Sequence, residues 1–143
     1  EAPEYLQAAF AKGLATMDFL TNEFATGRSG NEILADALRK AKAAGLQPTI
    51  YTHPIGYHGH GAGPTIGLWD QQEGVPGKGD YPMYPNTAYS IELNTKVFLP
   101  EWNKEIRIML EEDAFFDGTH VSYIDGRATQ LLLIPRSKSH LGQ

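Results

Sequence analysis

The sequence predicts an α+β fold, a helix pair followed by an antiparallel sheet, and three observations carry that prediction. Apolar residues in the first third recur at spacings of three and four, the period of one helix face. From Thr87 onward they alternate with polar residues, the period of a strand. Between the two, residues 47–86 hold eight of the 15 glycines and six of the nine prolines.

Leu6, Phe10, Leu14, Met17, Leu20 and Phe24 stack on one side of a first helix, and Gly27 is placed to stop it. Ser29 precedes Glu32 by three residues, the spacing of a capping box that satisfies free amides at a helix start. Ile33, Leu34, Ala37, Leu38 and Ala41 form the second stripe, and Gly45 ends it. A short strand is expected at residues 49–52, then a long loop. Loops of that length in a compact domain are generally either functional or disordered, and the three histidines of this one favour the functional option. Tyr89, Ile91 and Leu93 face one way along the next strand, while Ser90, Glu92 and Asn94 face the other. Ile106, Ile108 and Leu110 alternate with Arg107, Met109 and Glu111 in the same fashion. Gly118 and the pair Asp125 and Gly126 mark turns between shorter strands, and residues 131–134 form a last apolar run, with strand periodicity reaching Arg136. The order, two helices and then a sheet, is α+β.

Composition excludes several classes. With 41% hydrophobic and 20% charged residues the chain is neither disordered nor fibrous. No run approaches the roughly 18 consecutive apolar residues of a membrane-crossing helix, so no membrane partner is expected. Twelve basic residues against 17 acidic give a net charge of −5. No Lys/Arg stripe could neutralise phosphates, so nucleic acid is not an expected partner. The lack of cysteine excludes a disulfide framework, a thiolate metal site and a cysteine nucleophile. It leaves the compartment, cytoplasmic or periplasmic, open. The first residue is Glu1 rather than Met, so a segment upstream is expected.

The densest chemical signal is the segment from Thr52 to Gly63. His53, His58 and His60 fall within eight residues, and Gly59 and Gly61 flank the last of them. Imidazoles bind divalent transition metals, and small neighbours let a metal sit against bare backbone. The plainer reading is a polar Gly-rich loop. Glu92 and Glu111 lie on the less apolar faces of their strands, which adds two carboxylates to an imidazole, a set suited to Mn, Co, Zn or Fe. Two solvated glutamates are the plainer reading there. Glu112 shares its face with Ile108, Leu110 and Ala114, so Glu111 is the better ligand. Gly59, Gly61 and Gly63, like Gly77-Lys78-Gly79, neither follow a strand nor open a helix, so they are not phosphate loops. Ser122 and Ser137 lack a nucleophile context, and His58 with His60 lacks the following glutamate of a cupin-type site.

The ordered set His60, Glu92 and Glu111 resembles the C-terminal half of the pita-bread metallopeptidases, nearest to the Xaa-Pro aminopeptidases. Gly59-His60-Gly61-Ala62-Gly63 is similar to that family's glycine-flanked histidine ligand. Tyr89-Ser90-Ile91-Glu92 resembles its strand with a glutamate ligand, and Leu110-Glu111-Glu112-Asp113 the strand with the bridging glutamate. The resemblance implies a curved sheet, and makes residues 1–143 the C-terminal part of a catalytic domain. It implies a hydrolase that cleaves the residue before proline in peptides with proline in second position. It further implies two divalent ions (Mn, Co or Zn), with His60, Glu92 and Glu111 as metal ligands and Glu92 also shuttling a proton. The family's two aspartate ligands would lie before Glu1, so metal affinity of this chain is expected to be low. Many members carry a second histidine seven residues after the ligand histidine. Counted from His60 that place is Gly67, and His53 or His58 are candidates to replace it. A non-catalytic scaffold of the same fold is the alternative. A half fold would expose a sheet edge, so a homodimer or higher assembly is expected.

Overall fold

The computed structural model describes residues 1–134 and confirms the α+β order. Helix α1 spans Glu4–Thr21 and α2 spans Gly30–Ala43. The capping box forms as its spacing predicts. The Glu32 N–H donates to Ser29 Oγ at 3.2 Å, and the Ser29 N–H donates to Glu32 Oε2 at 2.8 Å. Phe24, beyond the end of α1, still belongs to the core and meets Tyr89 and Phe116 edge-on.

Six strands follow: β1 Pro48–Ile50, β2 His53–Gly56, β3 Gly59–His60, β4 Thr87–Leu99, β5 Lys104–Phe116 and β6 Val121–Tyr123. They form one antiparallel sheet in the order β3-β2-β4-β5-β6, with β1 also paired to β4. β4 and β5 pair along 13 positions, from Thr87 opposite Phe116 to Leu99 opposite Lys104. A one-turn 3-10 helix at Pro100–Trp102 joins them, closed by Asn103 in the left-handed region (φ 44°).

One sheet face packs on the helices. Met17, Leu20, Ile33, Leu34, Ile91, Leu93 and their neighbours make a continuous core between the two layers. α1 approaches β5 so closely at Gly13 that a Cβ there would stand 2.6 Å from Ile108 Cγ2. At the turn between the helices Glu23 is nearly buried and bonded by Arg28 at 2.9 Å and by Lys40. Burial works against its charge, but the bonds from Lys40 and Arg28 outweigh it and hold the carboxyl below its ordinary range.

The expected short strand at 49–52 is β1, which stops at Ile50 because Thr52 turns to pair with Ile66. The segment after it is a hairpin, β2 and β3, rather than loop. Pro54 and the glycines hide its strand character, since neither has a side chain that alternates legibly. The stretch from Gly61 to Asn86 contains no helix or named strand, yet it is tied down. Asn31 Nδ2 donates to Val75 O and Asp80 Oδ1, and its Oδ1 accepts from the Val75 N–H. Residues 131–134 are not a strand, and Leu132 and Ile134 are exposed. An apolar run makes a strand only where a ladder partner exists, and none forms there among the described residues. Arg136 and Ser137 lie outside the described residues.

Leu34 is fully buried between the layers. Replacing it with Ala is expected to cost about 2–5 kcal/mol in urea unfolding, and a loss under about 1 kcal/mol would contradict its place in the core.

Candidate functional site

The face of the sheet away from the helices carries the chemistry, and strand register decides what meets there. Glu92 on β4 stands directly opposite Glu111 on β5. On the other flank of β4, His53 of β2 stands opposite Ser90, which puts its ring on the same face as Glu92. His53 Nε2 lies 3.8 Å from Glu92 Oε2. Its Nδ1 is 3.0 Å from the Pro54 carbonyl oxygen. A carbonyl only accepts, so Nδ1 carries the proton and Nε2 is the nitrogen turned to Glu92. Ser90 Oγ donates to Glu111 Oε1 at 2.9 Å.

Thr52 holds Glu92 in place. Its own backbone leaves the β4 ladder for Ile66, through the N–H to Ile66 O at 3.0 Å and from the Ile66 N–H at 2.8 Å. Its hydroxyl substitutes for the main chain that turned away. Thr52 Oγ1 accepts from the Glu92 N–H and donates to the Glu92 carbonyl, both at 3.1 Å. The Tyr51 N–H donates to the same carbonyl at 2.9 Å. The backbone of Glu92 is therefore satisfied across a break in the ladder.

His60 sits over this site rather than in it. Its ring stacks on His53 with centroids 3.7 Å apart, and its Nε2 bonds the Tyr51 hydroxyl at 3.0 Å. Tyr51 in turn meets Trp69 edge-on. His58 is exposed and packs against Tyr57, with no bond to either glutamate. Glu112 points to the helix side and accepts from the Ala128 N–H at 2.9 Å, as its face in the strand period predicts.

Gly67 has φ +75°, and a Cβ there would stand 2.2 Å from the Ile50 carbonyl oxygen. No histidine fits at that place, so nothing stands seven residues after His60 to face a ligand. Seven residues after His53, however, is His60 itself.

Burial raises the proton affinity of Glu92 first, and the facing Glu111 raises it further, with His60 offsetting only part. Among the described residues no three His, Asp or Glu side chains converge closely enough to hold a metal ion. The donor kinds, one imidazole nitrogen and two carboxylates, suit a divalent transition metal, while their spacing leaves the set open.

Of the residues singled out from sequence, the structure brings His53, Glu92 and Glu111 to one face with His60 above them, and leaves His58 apart. Sequence reasoning missed Tyr51, Thr52 and Ser90. The parity of Ser90 with Glu92 and of Tyr51 with His53 was the available signal for two of them, and for Thr52 there was none.

Comparison with known proteins bears on the fold. No family model matches the sequence, and no curated protein matches it. Among solved structures it is similar to the X-Pro aminopeptidase from Thermotoga maritima MSB8, with a TM-score of 0.57 and 18% identity over 96% of this chain. The match covers 34% of that enzyme, so this chain spans about a third of its length. The likeness is one of fold: the chain has the architecture of part of a pita-bread aminopeptidase.

The state of Glu92 has a consequence for the metal-free protein. Its folded form binds a proton more tightly than the unfolded chain does. Stability is therefore lost as pH rises from the ordinary glutamate value of about 4.5 through the raised one. Glu92→Gln is expected to raise the thermal midpoint at pH 7, by a margin that shrinks as pH falls toward 4.5. An unchanged or lower midpoint at pH 7 would contradict this.

Proposed function

We propose that this chain supplies part of the centre of a metal-dependent aminopeptidase-type hydrolase acting on peptides with proline in second position. The observation that carries the reading is His53, Glu92 and Glu111 side by side on the open sheet face of an aminopeptidase-like fold. His53 takes the ligand place with Glu92 and Glu111. His60 takes the place of the second histidine, seven residues on, which exchanges the roles read from sequence. Three features favour the exchange: the burial of His53, the turn of its Nε2 toward Glu92, and the exclusion of any side chain at Gly67.

His53, Glu92 and Glu111 are the residues that would hold a divalent ion (Mn, Co or Zn), which would supply Lewis-acid activation when bound. Pro54 fixes the imidazole of His53 by accepting from its Nδ1, the support a ligating histidine requires. Ser90 orients Glu111, and Thr52 with Tyr51 orients Glu92. Glu92, with its raised proton affinity, is the group suited to hold and return a proton during cleavage. His60, exposed above His53 and steadied by the Tyr51 hydroxyl, is the histidine that would meet a peptide. The family's two remaining aspartate ligands have no counterpart in these residues.

A second reading, a non-catalytic scaffold of the same fold, draws support from Ser90 and Tyr51. Their hydroxyls already bond Glu111 and His60, the groups a ligand would use.

Calorimetric titration of the metal-stripped chain with Mn(II) separates the two. The hydrolase reading expects binding that His53→Ala and Glu111→Gln abolish and His60→Ala retains. Affinity is expected to be low without the family's two aspartates, so the titration runs to millimolar Mn(II). No binding even there would count against His53, Glu92 and Glu111 as ligands, and loss with His60→Ala but not with His53→Ala would overturn the ligand assignment.

A further inference from the structure

Tyr51 is held from both sides by main-chain bonds of its neighbours. Its own N–H turns inward to the Glu92 carbonyl, while Ile50 and Thr52 turn their main-chain groups the other way. Thr52 meets the backbone of Ile66 there. Ile50 meets a side chain instead. Its N–H donates to Gln72 Oε1 at 2.8 Å, and Gln72 Nε2 donates to its carbonyl at 2.8 Å. A carboxamide carries an acceptor and two donors, so it stands in for the strand residue that would otherwise pair at this place.

That substitution leaves the main chain before Gln72 free to turn. The Leu68 N–H donates to the Gln71 carbonyl at 3.3 Å and the Gln71 N–H to the Leu68 carbonyl at 2.9 Å, which puts Trp69 and Asp70 at the tip of a tight turn. Gln72 Nε2 also donates to the Leu68 carbonyl, so one amide ties the turn to Ile50. The tip sets the Trp69 ring edge-on to Tyr51, with centroids 5.4 Å apart. The Tyr51 hydroxyl then meets His60 Nε2 at 3.0 Å, and the two rings lie 6.2 Å apart. Neither Tyr51 nor Trp69 belongs to the buried core between helices and sheet. Their places are therefore set by these specific bonds rather than by bulk apolar packing.

We propose that Gln72 is a positioning residue for His60. Its carboxamide fixes the turn that seats Trp69 on Tyr51, and so holds the hydroxyl that His60 bonds. The part this gives Gln72 in cleavage rests on the proposed function, in which His60 meets the peptide. The coupling itself is a property of the metal-free chain.

Variants read by fluorescence and nitrogen resonance test it. The chain has two tryptophans, and Trp102 lies in the β4–β5 connection bonded to Tyr5, so Trp102→Phe leaves Trp69 as the one reporter. Gln72→Glu keeps the shape of the side chain and removes its donor. In that background it is expected to shift Trp69 emission to longer wavelength. It should also move the His60 Nε2 resonance, recorded at about pH 9 where imidazole is neutral. Tyr51→Phe should move the same resonance, and adding Gln72→Glu to it should move it little further, as two changes acting through one hydroxyl do not add. If Gln72→Glu does not fold, Gln72→Met, of similar length without either polar atom, is read in the same way. A His60 resonance left in place by the Gln72 variant would overturn the proposal, and so would a shift that simply adds to that of Tyr51→Phe. Both readouts are taken without metal or peptide, so a failure here and a failure of the hydrolase reading are separate results.

Discussion

The long β4–β5 ladder is the constraint on which the rest of this structure depends. Thirteen consecutive pairs fix a single register, and a slip by one residue would turn every side chain of one strand to the other face. The apolar half of the ladder, with Ile91, Leu93 and Leu110, gives the helices a surface to pack on. The same register leaves Glu92 and Glu111 facing each other on the open side. Core and site are two consequences of one alignment.

That alignment carries a local cost. Two carboxylates face each other across adjacent strands, and burial of Glu92 adds to the charge of Glu111 in raising its proton affinity. The surrounding residues hold these groups in place. Thr52 commits its hydroxyl to both backbone groups of Glu92, and Ser90 fixes Glu111 from the same face.

Much of this was legible in the sequence. Period and capping chemistry located both helices, because Ser29, Glu32 and the apolar stripes act within a few residues of one another. Two-residue parity separated Glu111 from Glu112 without knowledge of the partner strand. What stayed hidden depends on contacts distant in the chain. The β2–β3 hairpin was masked by Pro54 and its glycines, and it is the pairing with β4 that makes it a strand. The places of the histidines turned on the same feature, since only that pairing sets His53 beside Glu92 and lifts His60 above it. The steric closure at Gly67 comes from the Ile50 carbonyl, which no local pattern announces. The apolar run at 131–134 misled for the converse reason, as composition was present and a partner was not.

The central proposal is that the shared face of β2, β4 and β5 can bind a cation through His53, Glu92 and Glu111. Anomalous diffraction from crystals of the chain grown with Mn(II) tests it most directly. The account predicts one peak bounded by His53 Nε2 and the carboxylates of Glu92 and Glu111. A peak at His58 or at the outer face of His60, or no peak on this face, would contradict it.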